Sequence, residues 1–312
     1  MKDGPSDPAQ LDERFGIKDA LGFTRGDGGL TRIEIDSGGS LAEIYLHGAH
    51  VTKFVPSGHE PVLWMSRKSR FSHGTPIRGG IPICFPWFGA HPADSDLPNH
   101  GFLRLSEWEV VSTETKGDEA AISLKSQSNK NSQQMWPYSF EAILEVVVGN
   151  RLSLTLGIAN SGDREFDFTE ALHSYFAVSD IRFIDLLGLD ATEYFDKLAG
   201  GHIAVQRGEL RFTSETDRPY LDTSATCTIV DPGKSRSIVV EKRGSSTTVV
   251  WNPWIAKARR MEDFGDDEWQ GMICVETANA LKNSVSLGPG ESHSISTTIS
   301  VNELERGSET PG

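Results

Sequence analysis

Hydrophobic and polar side chains alternate with a period of two along most of the chain. The alternation is regular in residues 41–46, 140–148 and 152–158. A period of two places successive side chains on opposite faces of an extended backbone, which is typical of strands with one buried face. The same pattern predicts further strands over residues 121–124, 181–186, 227–230, 237–241 and 294–301.

Turn-forming residues separate these segments at short intervals. Gly149 and Asn150 lie between residues 140–148 and 152–158, so these two segments are predicted to pair as an antiparallel hairpin. Helical patterns long enough for parallel crossovers are missing. We therefore predict an all-β fold, a large antiparallel β-sandwich with few short helices.

The strand pattern also predicts the domain organisation. No linker-like change of composition and no internal repeat interrupts it, so we expect a single β-sandwich domain over residues 28–303. Residues 1–27 are predicted to form a polar N-terminal extension with one short helix near residues 10–14. Residues 304–312 are predicted to be a disordered tail.

Composition excludes several classes of partner. The 312 residues carry a net charge of -14, which argues against nucleic acid, because phosphates require a basic surface. No apolar run approaches the roughly 20 residues of a membrane span. The N-terminus lacks the apolar core of a secretory signal, so we expect a cytoplasmic protein. Three widely spaced cysteines, Cys84, Cys227 and Cys274, are predicted to be reduced thiols that fill the core.

Residues 75–89 form the most unusual segment, because three prolines and three glycines interrupt an apolar run. Proline lacks the amide donor that a strand ladder needs, so the segment is predicted to be a shaped loop. It carries Arg78, and His100 and Arg104 follow closely. A few polar groups in apolar surroundings are typical of a ligand pocket.

Other ionisable residues in apolar segments leave alternatives open. His173 lies among aromatic residues, where it is either a hydrogen-bonded core histidine or a general acid. Glu276 ends an apolar run, and a carboxylate there is either catalytic or part of a structural ion pair. His47 and His50 have no third ligand nearby in the sequence, so we expect no metal site.

Five motifs occur in order over residues 77–89, 100–104, 173–176, 215–218 and 274–279. Together they resemble the glucose-6-phosphate 1-epimerase branch of the aldose 1-epimerase family, over roughly residues 31–301. The resemblance implies a galactose-mutarotase-like β-supersandwich. It also implies that His173 is the general acid and Glu276 the general base.

The resemblance further implies a set of substrate contacts. Arg78, Arg104 and Asp217 fall at substrate-binding positions of the family. His100 matches a histidine that lies near the sugar. Asn99 occupies a position at which this branch usually has a glutamine, and its side chain is one methylene shorter.

The implied reaction interconverts the α and β anomers of a hexose 6-phosphate. One acid and one base suffice to open and reclose the sugar ring, so we expect no cofactor and no metal. The arginines favour a phosphorylated sugar, because guanidinium groups bind phosphate bidentately. We expect a monomer whose partner is a small-molecule hexose phosphate. The alternatives are a noncatalytic carbohydrate-binding β-sandwich, a mutarotase of a neutral aldose, and a glycoside hydrolase with two carboxylates.

Overall fold

Antiparallel sheet dominates the structure, a computed structural model that describes residues 7–304. The described residues form two eight-stranded sheets, one four-stranded sheet and one two-stranded ribbon. The all-β prediction is confirmed. Residues 305–312, in the predicted disordered tail, lie outside the described range. No helix within residues 7–304 has both the length and the apolar character needed to cross a bilayer.

The four-stranded sheet is a meander near the N-terminus. Its strands are Leu21–Arg25 (β1), Thr31–Ser37 (β2), Ser40–Tyr45 (β3) and His50–Val55 (β4). Leu21 and Phe23 of β1 are buried in the core, and the helix Pro8–Phe15 (α1) contacts β1. The sheet therefore begins before residue 28, where the sequence pattern places the start of the domain.

One eight-stranded sheet, here called the amphipathic sheet, buries one face and leaves the other partly exposed. In spatial order its strands are Asp185–Leu187 (β13), Cys227–Asp231 (β17), Arg236–Arg243 (β18), Ser292–Glu303 (β22), Leu152–Asn160 (β9), Phe140–Val148 (β8), Glu119–Gln127 (β7) and Glu109–Lys116 (β6). Strands β8 and β9 pair across a tight turn with Val148 opposite Leu152. The predicted hairpin is confirmed.

The predicted strand over residues 181–186 is wrong in its first half. Ile181–Phe183 forms a short 3-10 turn instead. The Asp180 carboxylate accepts a hydrogen bond from the Arg182 amide at 2.9 Å. Such local side-chain bonds compete with a strand ladder, which explains why β13 begins only at Asp185.

The other eight-stranded sheet, here called the buried sheet, is covered on both faces at its centre. Its strands are His202–Val205 (β15), Glu193–Asp196 (β14), Thr216–Leu221 (β16), Thr247–Asn252 (β19), Met272–Asn279 (β20), Glu170–Leu172 (β11) and Ile83–Cys84 (β5), with Tyr175–Ala177 (β12) also paired to β20. Every residue of β19 and β20 is buried. One face contributes to the main core, and part of the other packs against Phe88 of the proline-rich loop.

The remaining elements are short. Phe166–Phe168 (β10) and Val285–Leu287 (β21) form the ribbon, and the helices Lys130–Met135 (α2) and Trp254–Ala258 (α3) lie in connections. The few short helices match the prediction. Residues 75–89 contain only the two-residue strand β5, as their prolines predict.

Candidate functional site

His173 and Glu276 face each other across an interrupted ladder. Strands β11 and β12 pair with β20 on either side of a short break, with Leu172 opposite Thr277 and Tyr175 opposite Cys274. This register is continuous, so His173 in the break lies opposite Glu276. The His173 backbone amide donates to the Pro82 carbonyl at 3.0 Å, which anchors the break to the proline-rich loop. The side chains meet with 3.4 Å between Nε2 and Oε1.

Burial controls the protonation of this pair. Glu276 is 1% exposed and His173 is 6% exposed. Burial raises the pKa of Glu276 well above its usual value. Burial, together with the charges of Arg78 and Arg104, lowers the pKa of His173 well below its usual value. Both shifts favour the neutral forms, so the pair holds one exchangeable proton between its two members.

Three polar atoms at the site are buried without a hydrogen bond to any described residue. They are Oε2 of Glu276, Nδ1 of His173 and Nε of Arg104. Buried polar atoms in folded proteins are almost always paired. Unpaired atoms around one cavity are therefore typical of a place where a polar ligand binds.

The cavity beside this pair has a volume of about 430 Å³, within the usual range for small-molecule sites. The fold brings all the predicted site residues to its wall, namely Arg78, Asn99, His100, Arg104, His173, Asp217 and Glu276.

Two aromatic side chains, Phe88 and Trp251, line the cavity. Trp87 and Trp254 lie elsewhere. Trp87 donates to the Pro98 carbonyl at 2.9 Å, and Trp254 packs against Trp269 with 4.3 Å between the ring centroids. The aromatic part of the cavity wall therefore includes Phe88 and Trp251.

Arg78 is held rigidly by two partners. Its Nε donates to Oδ2 of Asp263 at 3.1 Å, its Nη2 lies 3.0 Å from the same oxygen in an ion pair, and its Nη1 donates to the Tyr175 hydroxyl at 3.0 Å. Burial opposes the charge, but Tyr175 and Asp263 outweigh it and raise the pKa of Arg78. The guanidinium remains charged and keeps free donors on Nη1 and Nη2. Asp263 and the Tyr175 contact were not predicted from the sequence.

Arg104 is almost completely buried, at 8% exposure. Its Nη2 donates to the backbone carbonyl of Asn99 at 2.6 Å, and burial lowers its pKa. The Asn99 side chain is exposed at the cavity rim. Asn99 thus orients Arg104 through its main chain, a contact that does not depend on the length of its side chain.

His100 presents one ring nitrogen as a donor. The Gly89 amide donates to Nδ1 at 3.3 Å, so the hydrogen of the neutral ring is on Nε2. Burial and the nearby Arg104 charge lower the pKa of His100 well below its usual value, which keeps the ring neutral. His100 has a φ of 63°, a left-handed conformation that is uncommon for residues with a side chain.

Two lysines complete the cavity wall, and no motif in the sequence indicates either. Lys197 follows β14 and Lys257 lies in α3. Lys197 Nζ is 2.9 Å from one Asp217 oxygen, and Lys257 Nζ is 3.9 Å from the other. Asp217 is opposite Trp251 in the register of β16 and β19. The cavity therefore has an acidic group flanked by two cations.

Cys274 lies close enough to His173 and Glu276 that the three could in principle hold a metal ion. Burial raises the pKa of the Cys274 thiol well above its usual value. Metal binding requires a thiolate, so this group is poorly suited to the role.

Comparison with known proteins places the chain in a family. The sequence matches the family model for aldose 1-epimerase over residues 31–300. The chain belongs to the aldose 1-epimerase family. It is therefore an isomerase that interconverts the anomers of a sugar.

Relatives from a plant and a bacterium agree with this family. The chain is 39% identical over 260 residues to a protein of Cenchrus ciliaris named "Putative glucose-6-phosphate 1-epimerase", a match that covers 80% of this chain and 78% of that one. A protein of Escherichia coli (strain K12) with the same name is 34% identical over 252 residues, covering 80% and 84%.

A solved structure has the same fold. The crystal structure described as a "putative mutarotase" from Salmonella typhimurium superposes with a TM-score of 0.86 at 31% identity, covering 93% of this chain and 96% of that one. The predicted galactose-mutarotase-like sandwich is thereby confirmed.

Proposed function

We propose that this isomerase interconverts the α and β anomers of a hexose 6-phosphate, glucose 6-phosphate being the sugar in the names of its relatives. The observation that carries the proposal is a buried acid-base pair in a cavity whose wall is rich in cations. The pair is His173 and Glu276, and the cations are Arg78, Arg104, Lys197 and Lys257.

Ring opening needs one proton removed and another delivered. The Glu276 carboxylate takes the proton of the C1 hydroxyl while the His173 imidazolium protonates the ring oxygen. The bond between C1 and the ring oxygen breaks, and C1 becomes an aldehyde carbonyl. After rotation about the bond from C1 to C2, the two groups reverse their roles and the ring closes on the other face.

The number of protons that His173 and Glu276 hold together suits this cycle. Ionised Glu276 with protonated His173 holds the same number of protons as the neutral pair, and the two forms differ only in where one proton lies. Ring opening converts the ionised pair into the neutral pair, and ring closure converts it back. Each turnover therefore returns the pair to a competent state, whichever anomer forms.

The arginines explain why a phosphate would help. The Arg78 and Arg104 charges disfavour the imidazolium form of His173. A phosphate dianion beside these guanidinium groups would offset their charge and so favour the protonated acid that opens the ring. In a protein of net charge -14, this local cluster also offsets the general repulsion of an anionic substrate.

The test follows the optical rotation of pure α-glucose 6-phosphate after addition of protein. Wild type should accelerate mutarotation above the spontaneous rate, and Glu276→Gln and His173→Ala should each reduce kcat/KM by about 10²-fold or more. A wild type that leaves the spontaneous rate unchanged would indicate a sugar-binding protein instead. Near-normal rates in both variants would overturn the assigned acid and base.

A further inference from the structure

Three side chains outside the catalytic cavity converge on one point. His47, His73 and Glu107 each offer one ligand atom, and these atoms all lie within 4.8 Å of one another. The sequence suggested His47 and His50 as a pair without a third ligand. In the structure His50 points elsewhere, with Nε2 2.7 Å from the Gly79 carbonyl, and His47 has two other partners.

Main-chain pairing brings His47 and Glu107 together. They are opposite each other in an isolated antiparallel bridge. The flanking bonds run from the Trp108 amide to the Leu46 carbonyl at 3.0 Å and from the Gly48 amide to the Ser106 carbonyl at 2.7 Å. A bridge flanked in this way is a non-hydrogen-bonded pair, in which side chains on the same face lie closest.

A hydrogen bond to the main chain determines which ring nitrogen of His47 can bind a metal. Its Nε2 lies 2.9 Å from the Thr75 carbonyl, which can only accept, so Nε2 carries the hydrogen. The lone pair is then on Nδ1. Histidine ligands usually donate their second ring N–H to a carbonyl or carboxylate in this way. His47 is 1% exposed, so its orientation is well determined by the packing around it.

The ligand atoms of His73 and Glu107 are separated by nearly the distance expected between two ligands of one metal ion. Nδ1 of His73 is 3.1 Å from Oε1 of Glu107. Tetrahedral Zn²⁺ with bonds of about 2.0–2.1 Å separates neighbouring ligand atoms by roughly 3.4 Å. Both side chains are half exposed, so they can adjust and an ion can reach them.

We propose that His47, His73 and Glu107 bind one divalent transition-metal ion, with two imidazoles and a carboxylate that suit Zn²⁺ and with water as the fourth ligand. The site is structural. His73 precedes Arg78 by five residues, and Glu107 follows Arg104 by three. A bound ion would therefore link the two segments that carry the arginines of the cavity.

Calorimetric titration with Zn²⁺ tests the site in the full chain. Wild type is expected to bind one ion, and His73→Ala and Glu107→Gln should each weaken that binding by at least about tenfold. His202→Ala is the matched control, because His202 is an exposed histidine on β15, outside the cluster. It should bind Zn²⁺ as wild type does. Zn²⁺ should also raise the thermal unfolding midpoint of wild type but not of His73→Ala.

Two results would overturn the proposal. One is the absence of Zn²⁺ binding by folded wild type. The other is equal binding by wild type and His73→Ala, which would assign the ion to another location such as His173, Cys274 and Glu276. Circular dichroism checks that the variants are folded, and none of these readouts depends on the proposed sugar substrate.

Discussion

The two large sheets bury their side chains in different ways. In the amphipathic sheet, Leu152–Asn160 alternates between buried and partly exposed positions along its whole length. In the buried sheet, Met272–Asn279 has no exposed position. One face of β20 meets the main core, and the other supports the cavity. Glu276 thus lies in a strand whose pattern does not alternate, because neither face meets bulk water.

Two buried polar side chains of the buried sheet also differ from each other, in how far their hydrogen bonds are satisfied. The Asn252 amide donates to the Trp269 and Met272 carbonyls at 2.8 and 2.9 Å, and its oxygen accepts from the Trp254 amide. Glu276 leaves Oε2 without such a partner. A satisfied buried polar group is typical of a structural role, whereas an unsatisfied one at a cavity is typical of function.

The largest predicted effect is a loss of stability caused by a substitution in the amphipathic sheet alone. Leu154 of β9 is fully buried, so Leu154→Ala should lower the free energy of unfolding by about 2–5 kcal/mol. Thr155→Ala, on the other face, should change it by less than about 0.5 kcal/mol. Denaturant unfolding measures both. Mutarotation by the folded Leu154→Ala protein should stay near wild type, and a large loss there would contradict the separation of the two sheets.

The next effect concerns substrate choice at the buried sheet. Hydrogen bonds to charged groups are worth about 1.5–3 kcal/mol, so Arg104→Gln should lower kcat/KM for glucose 6-phosphate roughly 10- to 100-fold. The loss with free glucose should be much smaller. Arg218→Gln is the control, because Arg218 pairs with Asp196 and does not line the cavity. Equal losses on both sugars would assign Arg104 to a hydroxyl contact instead of the phosphate.

A substitution of Asn252 tests the structural role of a buried polar side chain whose hydrogen bonds are satisfied. Asn252→Ala leaves the Trp269 and Met272 carbonyls without their donor, so stability should fall by about 1–3 kcal/mol. Thermal unfolding measures the change. An unchanged midpoint would show that these carbonyls find other donors and would weaken the distinction from Glu276.

The smallest predicted effect is an increase in stability. Because burial raises the pKa of Glu276, the folded protein retains a proton that the unfolded chain releases above its usual value of 4.5. This costs stability increasingly as the pH rises towards the folded pKa. Glu276→Gln removes the cost, so it should stabilise the protein by less than about 2 kcal/mol. The gain in unfolding midpoint should be larger at pH 8 than at pH 5, and a gain that falls with pH would contradict the shift.

Particular residues show how far sequence-based prediction reached. Alternation identified β8, β9 and the turn between them, because a period of two is a local property of one strand. It failed at Ile181–Phe183, where the Asp180 side chain favours a turn. The resemblance identified His173 and Glu276 but not Lys197 or Lys257, which belong to no motif and reach the cavity only through the packing of distant elements.

By itself, then, the sequence determined that the protein is a β-sandwich, through alternation, and its family, through ordered motifs. Tertiary structure decided which groups meet. The register of β11 and β12 on β20 places His173 opposite Glu276, and the bridge at Glu107 gives His47 its partners. Local patterns cannot specify these contacts, because pairing between strands far apart in the chain depends on how the whole sandwich packs.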